Sequence, residues 1–317
     1  MALTITRTIL KSDIRDWLDQ SGDTVAERRL ERAIQAGLER VSWVRHWSFL
    51  RDTYPVNTKL PYSTGTVSVN IGSTAVTGSG TTFPSDIVGA FIEFSGQRQQ
   101  YEITERGGDT SLTIRSAYGN ADATNLSGAT YKIMYPAMDL PANFRVARAL
   151  VDVQRNDELP EVQSDDMERL HAYDSGVSSP QCWAVRAKRS DPNISQLWLY
   201  PAPDTQELYQ MLYIRTAGWY NSATPATATF ALEPPAGGSG DAYYVDWPQN
   251  LKGLLLSSCK LALVEEGATK NIMPQVAYSD YDRKLSQAMA DDEKVMQIKQ
   301  LGRGSTISPK RRWRLTP

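Results

Sequence analysis

In its 317 residues this sequence has very few of the side chains from which active sites are most often built: it contains two cysteines and two histidines. Cys182 and Cys259 are too far apart for a Cys-x-x-Cys motif, and His46 and His171 each lack a second histidine or cysteine at ligand spacing. There is no glycine-rich strand-to-helix turn for phosphates and no Gly-x-Ser-x-Gly elbow. No run approaches the roughly 18 apolar residues that cross a bilayer. Lys11, Asp13 and Arg15 stand soon after Met1, where a secretion signal would be apolar. A protein made and kept in cytosol-like conditions, or one that leaves without the secretory route, is expected, with two buried thiols rather than a disulfide. Charge of one sign is also missing: a net charge of −2 and an isoelectric point near 5.8 speak against a general nucleic-acid binder. Metal, cofactor and catalysis are therefore not expected.

What the chain does have is ordinary folding material, 41% hydrophobic and 22% charged residues, enough for two or three compact units. The clearest stretch runs from Thr24 to about Leu50. Leu30, Ile34, Gly37, Val41 and Val44 recur at three- and four-residue steps, which reads as a core-facing helix, and Thr24 with Glu27 has capping-box spacing. Trp17 and Leu18 before it, and Trp43, Trp47 and Phe49 within or after it, extend the apolar side. Residues 8–21 read as a shorter helix with Ile14, Trp17 and Leu18 inward, closed by Ser21-Gly22.

After Leu50 the helical period stops. From Gly65 to about Tyr135 short alternating runs at 66–69, 74–77, 90–94, 101–104, 111–114 and 131–134 are separated by Gly, Ser and Thr, the pattern of a small antiparallel barrel or sandwich. From Leu140 the chain reads as connections around a second sheet, with strands at 182–186, 196–200 and 208–215. Pro201-Ala202-Pro203-Asp204 would turn the last two into a hairpin packed against helices. A Pro-, Gly-, Ala- and Thr-bearing stretch at 221–240 follows. Asp246 with Trp247-Pro248 then opens a helix that stops at Gly267, and another begins near Pro274. On that last helix Val276, Tyr278, Tyr281, Leu285, Met289 and Met296 are expected inside, and Asp280, Asp282, Asp291, Asp292 and Glu293 outside. The expected fold is α+β: a helical bundle body (1–62 and 137–302) with a small antiparallel sheet, an inserted all-β module (63–136), and an extended tail (303–317).

Weaker signals are read as structural. His46 lies at the solvent edge of the long helix and His171 in a polar helical segment; Asp165, Asp166 and Glu168 form a solvated face, since neighbouring acids on a helix diverge. Trp198 and Tyr200 alternate on a strand and could form a sugar-stacking platform, although packing explains them as well. The tail differs from the rest of the chain. After Glu293 no acidic side chain remains, while Lys294, Lys299, Arg303, Lys310, Arg311, Arg312 and Arg314 accumulate around Trp313. Such a segment suits docking into an acidic, partly apolar cleft, with Trp313 as anchor.

The N-terminal helix pair, with Thr6-Arg7, Ile14, Trp17-Leu18, Leu30 to Leu38 and Trp47-Ser48-Phe49-Leu50, resembles the head-to-tail adaptor (head completion) proteins of tailed bacteriophages. Leu140-Pro141-Ala142-Asn143-Phe144-Arg145, Leu197 to Asp204 and the helical pair opened by Trp247-Pro248 follow in the same order. The β insert, by contrast, looks like small modules of phage tail and virion proteins. The resemblance implies a homo-oligomeric ring, usually of twelve copies, at the head–tail junction of the virion and assembled in the host cytoplasm. Such a ring sits between the portal protein and a tail tube or nozzle protein, with no membrane partner, and passes double-stranded DNA without sequence-specific binding. It implies no catalysis and no cofactor, and it implies docking of the C-terminal residues Arg303, Lys310, Arg311, Arg312, Trp313 and Arg314 into the portal. In such a ring Asp291, Asp292 and Glu293 are candidates to face the channel, because like charge lets DNA slide. A glycan- or receptor-binding tail protein using the β module is the alternative.

Overall fold

The computed structural model describes residues 5–21, 25–97, 99–119, 124–173, 177–222, 230–232, 243–267, 269 and 272–301. In chain order the elements begin with α1 (Arg7–Ser21), α2 (Glu27–Trp43), β1 (Arg51–Asn57), β2 (Thr66–Val69), β3 (Ala75–Ser79), β4 (Phe91–Phe94), β5 (Gln100–Gly108) and β6 (Ser111–Ile114). Then come β7 (Leu126–Ala129), β8 (Tyr131–Met134), β9 (Ala137–Asp139), β10 (Phe144–Asp152), β11 (Asp157–Leu159), α3 (Ser164–Tyr173), β12 (Cys182–Lys188), β13 (Asp191–Tyr200) and β14 (Leu208–Arg215). The chain ends with β15 (Trp219–Tyr220), β16 (Phe230–Ala231), β17 (Tyr244–Val245), α4 (Lys252–Glu265) and α5 (Pro274–Leu301). It divides into two compact units, Met1–Arg51 with Thr216–Pro317, and Asp52–Arg215.

The expected helical bundle body is corrected here. The described residues are mostly sheet, and the five helices are joined by four sheets, one of them seven-stranded. The difference has a local cause. Phe144–Asp152 contains Ala, Arg and Leu in a mixture that shows no clean period of two, yet it pairs along its whole length with β14. Pairing and burial, rather than propensity, made it a strand. The expected hairpin of 196–200 with 208–215 is also absent. β13 pairs with β12 and β9, whereas β14 lies between β1 and β10 in another sheet, in the order β1-β14-β10-β11. The two sheets share one core, in which Leu150, Tyr209 and Met211 of the first meet Trp183, Leu197 and Leu199 of the second. β14 therefore packs on strands, not on helices.

The six alternating runs between 66 and 134 all form strands, and β7 joins them in one antiparallel sheet of order β7-β2-β3-β6-β5-β4-β8. Its inward residues alternate as sheet geometry demands: Val67 and Val69, Ile92 and Phe94, Tyr101 and Ile103, Leu112 and Ile114 are all buried. The aromatic residues Phe83, Phe94, Tyr101, Tyr118 and Tyr131 fill that core.

In the helical unit α4 is buried almost all round and packs against α2, α1 and α5. The closest approach is at Gly37, where an added Cβ would stand 2.6 Å from Cys259 Sγ and 2.7 Å from its backbone nitrogen. The Cys259 thiol in turn donates to the Ile34 carbonyl at 3.8 Å. Helix α2 is shorter than the sequence suggests. Its first residue is Glu27, Ala26 provides no side-chain cap, and Thr24 lies outside the described residues. Glu27 is drawn to Lys11 (2.7 Å) and Arg15 instead, and Lys11, itself almost fully buried, also reaches Glu31 at 3.1 Å. At the other end α2 stops at Trp43, so Trp43 and Val44, expected inside, are exposed. The chain then turns so that Trp47 is buried, its indole N–H donating to the Val41 carbonyl at 2.7 Å while its ring meets Phe49 and Trp247.

Helix α5 is turned relative to expectation. Ala277, Tyr281, Ala288 and Asp292 form its buried stripe, whereas Val276 and Tyr278 are exposed and Leu285 and Met289 only half-buried. Two alanines let α5 lie close on its neighbour, and that contact outweighs the larger apolar residues beside them.

The contact at Gly37 leads to a prediction. Gly37→Ala forces α2 and α4 apart or distorts them, and overpacking of this kind costs about 1–3 kcal/mol. Urea unfolding should show a lower midpoint with unchanged slope, and a wild-type midpoint would mean the helices can separate freely.

Candidate functional site

The structure separates the three acids of α5. Consecutive residues on a helix point about 100° apart. Asp291 is exposed and stands 3.5 Å from Lys294, and Glu293 is exposed with Arg45 at 3.1 Å. Asp292, expected in solvent, is only 6% exposed. It accepts the Ser48 backbone N–H at 3.0 Å and faces Arg45 Nε at 3.3 Å, so it fixes the turn after α2. Arg303, Lys310, Arg311, Arg312, Trp313 and Arg314 lie outside the described residues.

The aromatic pair Trp198 and Tyr200 is covered. Trp198 is 5% exposed, with the Arg186 guanidinium 3.7 Å over its ring and Phe91 and His171 against its edges. Glu168, on α3, holds Arg186 at 2.6 Å, and His171, one turn further, also meets Tyr200. No open sugar platform exists at this place. Of the remaining acids of α3, Asp166 faces Arg169 and Asp165 is exposed. His46 is exposed beyond the end of α2. Burial pushes the His171 pKa down to about 4 and the Cys259 thiol up to about 12, so the imidazole is neutral and the thiol inert near pH 7. Cys182 and Cys259 are both free and buried.

One groove of about 490 Å³ in the β unit is lined by Lys59, Asp86, Tyr135, Asp139, Lys188 and Gln196 among others. Its charges cancel in pairs. Lys59 meets Asp86 and the Tyr135 ring, and Lys188 and Gln196 each reach Asp139 at 2.7 Å. Among the described residues no cluster of His, Cys, Asp and Glu is placed to hold a metal ion, and no described helix is long and apolar enough to cross a membrane.

The unusual surface belongs to the helical unit, and the sequence does not mark it as surface because its residues are apolar. Trp43 (59% exposed), Val44, Met273 (71%), Val276 (60%) and Tyr278 all face solvent. Arg40 pairs with Glu265, which also accepts the Tyr278 hydroxyl at 2.8 Å. Arg40, near the end of α2, is thus linked to Tyr278 of α5 through Glu265 of α4, whereas Arg45, just past Trp43, meets Asp292 and Glu293 further along α5. On the earlier turns of α2, Arg28, Arg29 and Arg32 are exposed and have no ion-pair partner among the described residues. No family model matches this chain, and no curated protein is detectably similar to it in sequence.

The His171 environment yields a pH prediction. Its folded pKa is below the unfolded one, so the unfolded state binds the extra proton and stability falls as pH drops from about 6.5 towards 4. His171→Phe should remove the part of that fall between about pH 6.5 and 5, where carboxylates still stay ionised. Melting temperatures across this range test it; parallel curves for the two proteins would refute it.

Proposed function

We propose that this chain is a structural connector of a tailed-phage virion: a homo-oligomeric ring, of about twelve copies on the family resemblance, between the portal and the tail. Double-stranded DNA would pass through it without sequence reading, and the chain would perform no catalysis. The observation that best supports an assembly role is that the helical unit exposes several large apolar side chains, Trp43, Met273, Val276 and Tyr278, and apolar surface left in water often marks a binding face. They are of the aromatic and aliphatic types that anchor interface centres. The helix pairs at the two ends, α1 with α2 and α4 with α5, stand at the positions on which the adaptor resemblance rests, although the β unit between them is longer than that resemblance implies. The exposed Arg28, Arg29 and Arg32 of α2, without an ion-pair partner among the described residues, add a charged patch that a partner could pair.

Mass photometry of the purified chain, alone and with portal, is the test. Rings or portal-bound assemblies are expected. Trp43→Ala should weaken assembly by about 2 kcal/mol, the usual cost of truncating an aromatic anchor, with no loss of thermal stability, since the ring is exposed in the single chain. A stable monomer that ignores the portal would overturn the reading.

A further inference from the structure

The edge of the β12-β13-β9 sheet is only partly covered. Trp183 donates its N–H to the Pro160 carbonyl (3.1 Å) and its carbonyl accepts the Val162 N–H (2.9 Å), so residues 160–162 run beside β12 as a short parallel neighbour. The chain then leaves the edge and enters α3 at Ser164. Backbone groups alternate sides along a strand. Since those of Trp183 face the edge, Val185 and Ala187 face it too, and beyond Trp183 no strand among the described residues pairs there. At this position an open cleft of about 520 Å³ lies beside Val185, walled by Glu161, Val162, Gln163, Ser164 and Asp165. Glu161 and Asp165 are exposed, and neither has a cation partner among the described residues. An unpaired edge with a groove alongside is the physical form of a strand-addition site.

The sequence itself contains a segment of matching form. Between Pro309 and Pro317, the residues Lys310, Arg312 and Arg314 alternate with Arg311, Trp313 and Leu315. As a strand this places three cations on one face, and an aromatic and an aliphatic residue together with Arg311 on the other. Six residues span about 20 Å, the length of most of β12. Eight residues, 302–309, separate this run from the end of α5 and reach at most about 28 Å. No acid occurs after Glu293 to oppose pairing with Glu161 and Asp165.

We propose that the C-terminal segment Lys310–Leu315 of a second copy of this chain adds as a strand to the open edge of β12. Its cations meet Glu161 and Asp165, and Trp313 and Leu315 lie against Val162 and Val185, the two apolar residues of the cleft. This contact links copies whatever their number, and it competes with docking of the same segment into a portal.

The test uses two full-length variants. The acceptor, isotopically labelled, is K310E/R312E/R314E and cannot donate its own segment. The donor, unlabelled, is Val185→Pro, which cannot accept; proline is tolerated there because the Val185 N–H faces outward and makes no bond to β13. A second donor, E161K/D165K, covers the case in which the proline variant misfolds. Adding either donor should slow exchange of the acceptor's Val185 and Ala187 amides by about tenfold or more, as pairing protects an edge. No slowing with either donor overturns the proposal. So does slow exchange in the acceptor alone, equal slowing by a donor whose segment is also reversed, or slowing that requires added portal. Ring formation with portal is read separately, so failure here leaves the connector reading standing and failure there leaves this one.

Discussion

The helical unit depends on two helices touching where one residue has no side chain. Ile34 and Cys259 are 225 positions apart, yet the α2–α4 contact at Gly37 brings backbone to within van der Waals distance. This closure joins the first and last parts of the chain and makes everything from Asp52 to Arg215 an insertion between them. The insertion is compatible with that demand because β1 and β14, its first and last strands, are neighbours in one sheet, and Asp52 faces Arg215 at 3.8 Å. A long excursion that returns to its starting point costs little more in loop entropy than a short one.

Charge inside the helical unit follows from the same closeness. Packing α1 along α2 buries Lys11, which is tolerable because Glu27 and Glu31 both reach it. Packing α5 so that its alanines face inward carries Asp292 into the interior, where the Ser48 amide donates to one carboxylate oxygen and the Arg45 guanidinium offsets the charge at the other. Removing either acid partner would leave a buried cation or an unsatisfied turn, so these charges serve architecture. Among the described residues, charges without an ion-pair partner include Arg28, Arg29 and Arg32 on α2 and Glu161 and Asp165 beside the β12 edge.

The surfaces available for assembly are thus of two kinds. On the helical unit they are side chains, Trp43, Val276 and Tyr278, left outside because helix ends and register placed them there. On the β unit it is backbone, the edge of β12 that residues 160–162 cover only as far as Trp183. Side-chain anchors favour affinity through burial, whereas an open edge favours a particular extended partner through its hydrogen-bond spacing.

Periodicity in the sequence alone determined the local elements: Leu30, Ile34, Gly37 and Val41 as the inner face of α2, the six alternating runs between 66 and 134 as strands, Pro248 and Gly267 as the limits around α4, and two buried free thiols. Alternation or a 3.6-residue repeat records which side of an element is apolar, and that is local information. Only the tertiary structure decided that β13 and β14 belong to different sheets, that Phe144–Asp152 is a strand, and that Asp292 is inside while Val276 and Tyr278 are outside. Each of these outcomes depends on which distant partner an element meets, and small residues such as Gly37, Ala277 and Ala288 set those meetings by how closely they let backbones approach, a quantity that hydrophobicity does not record.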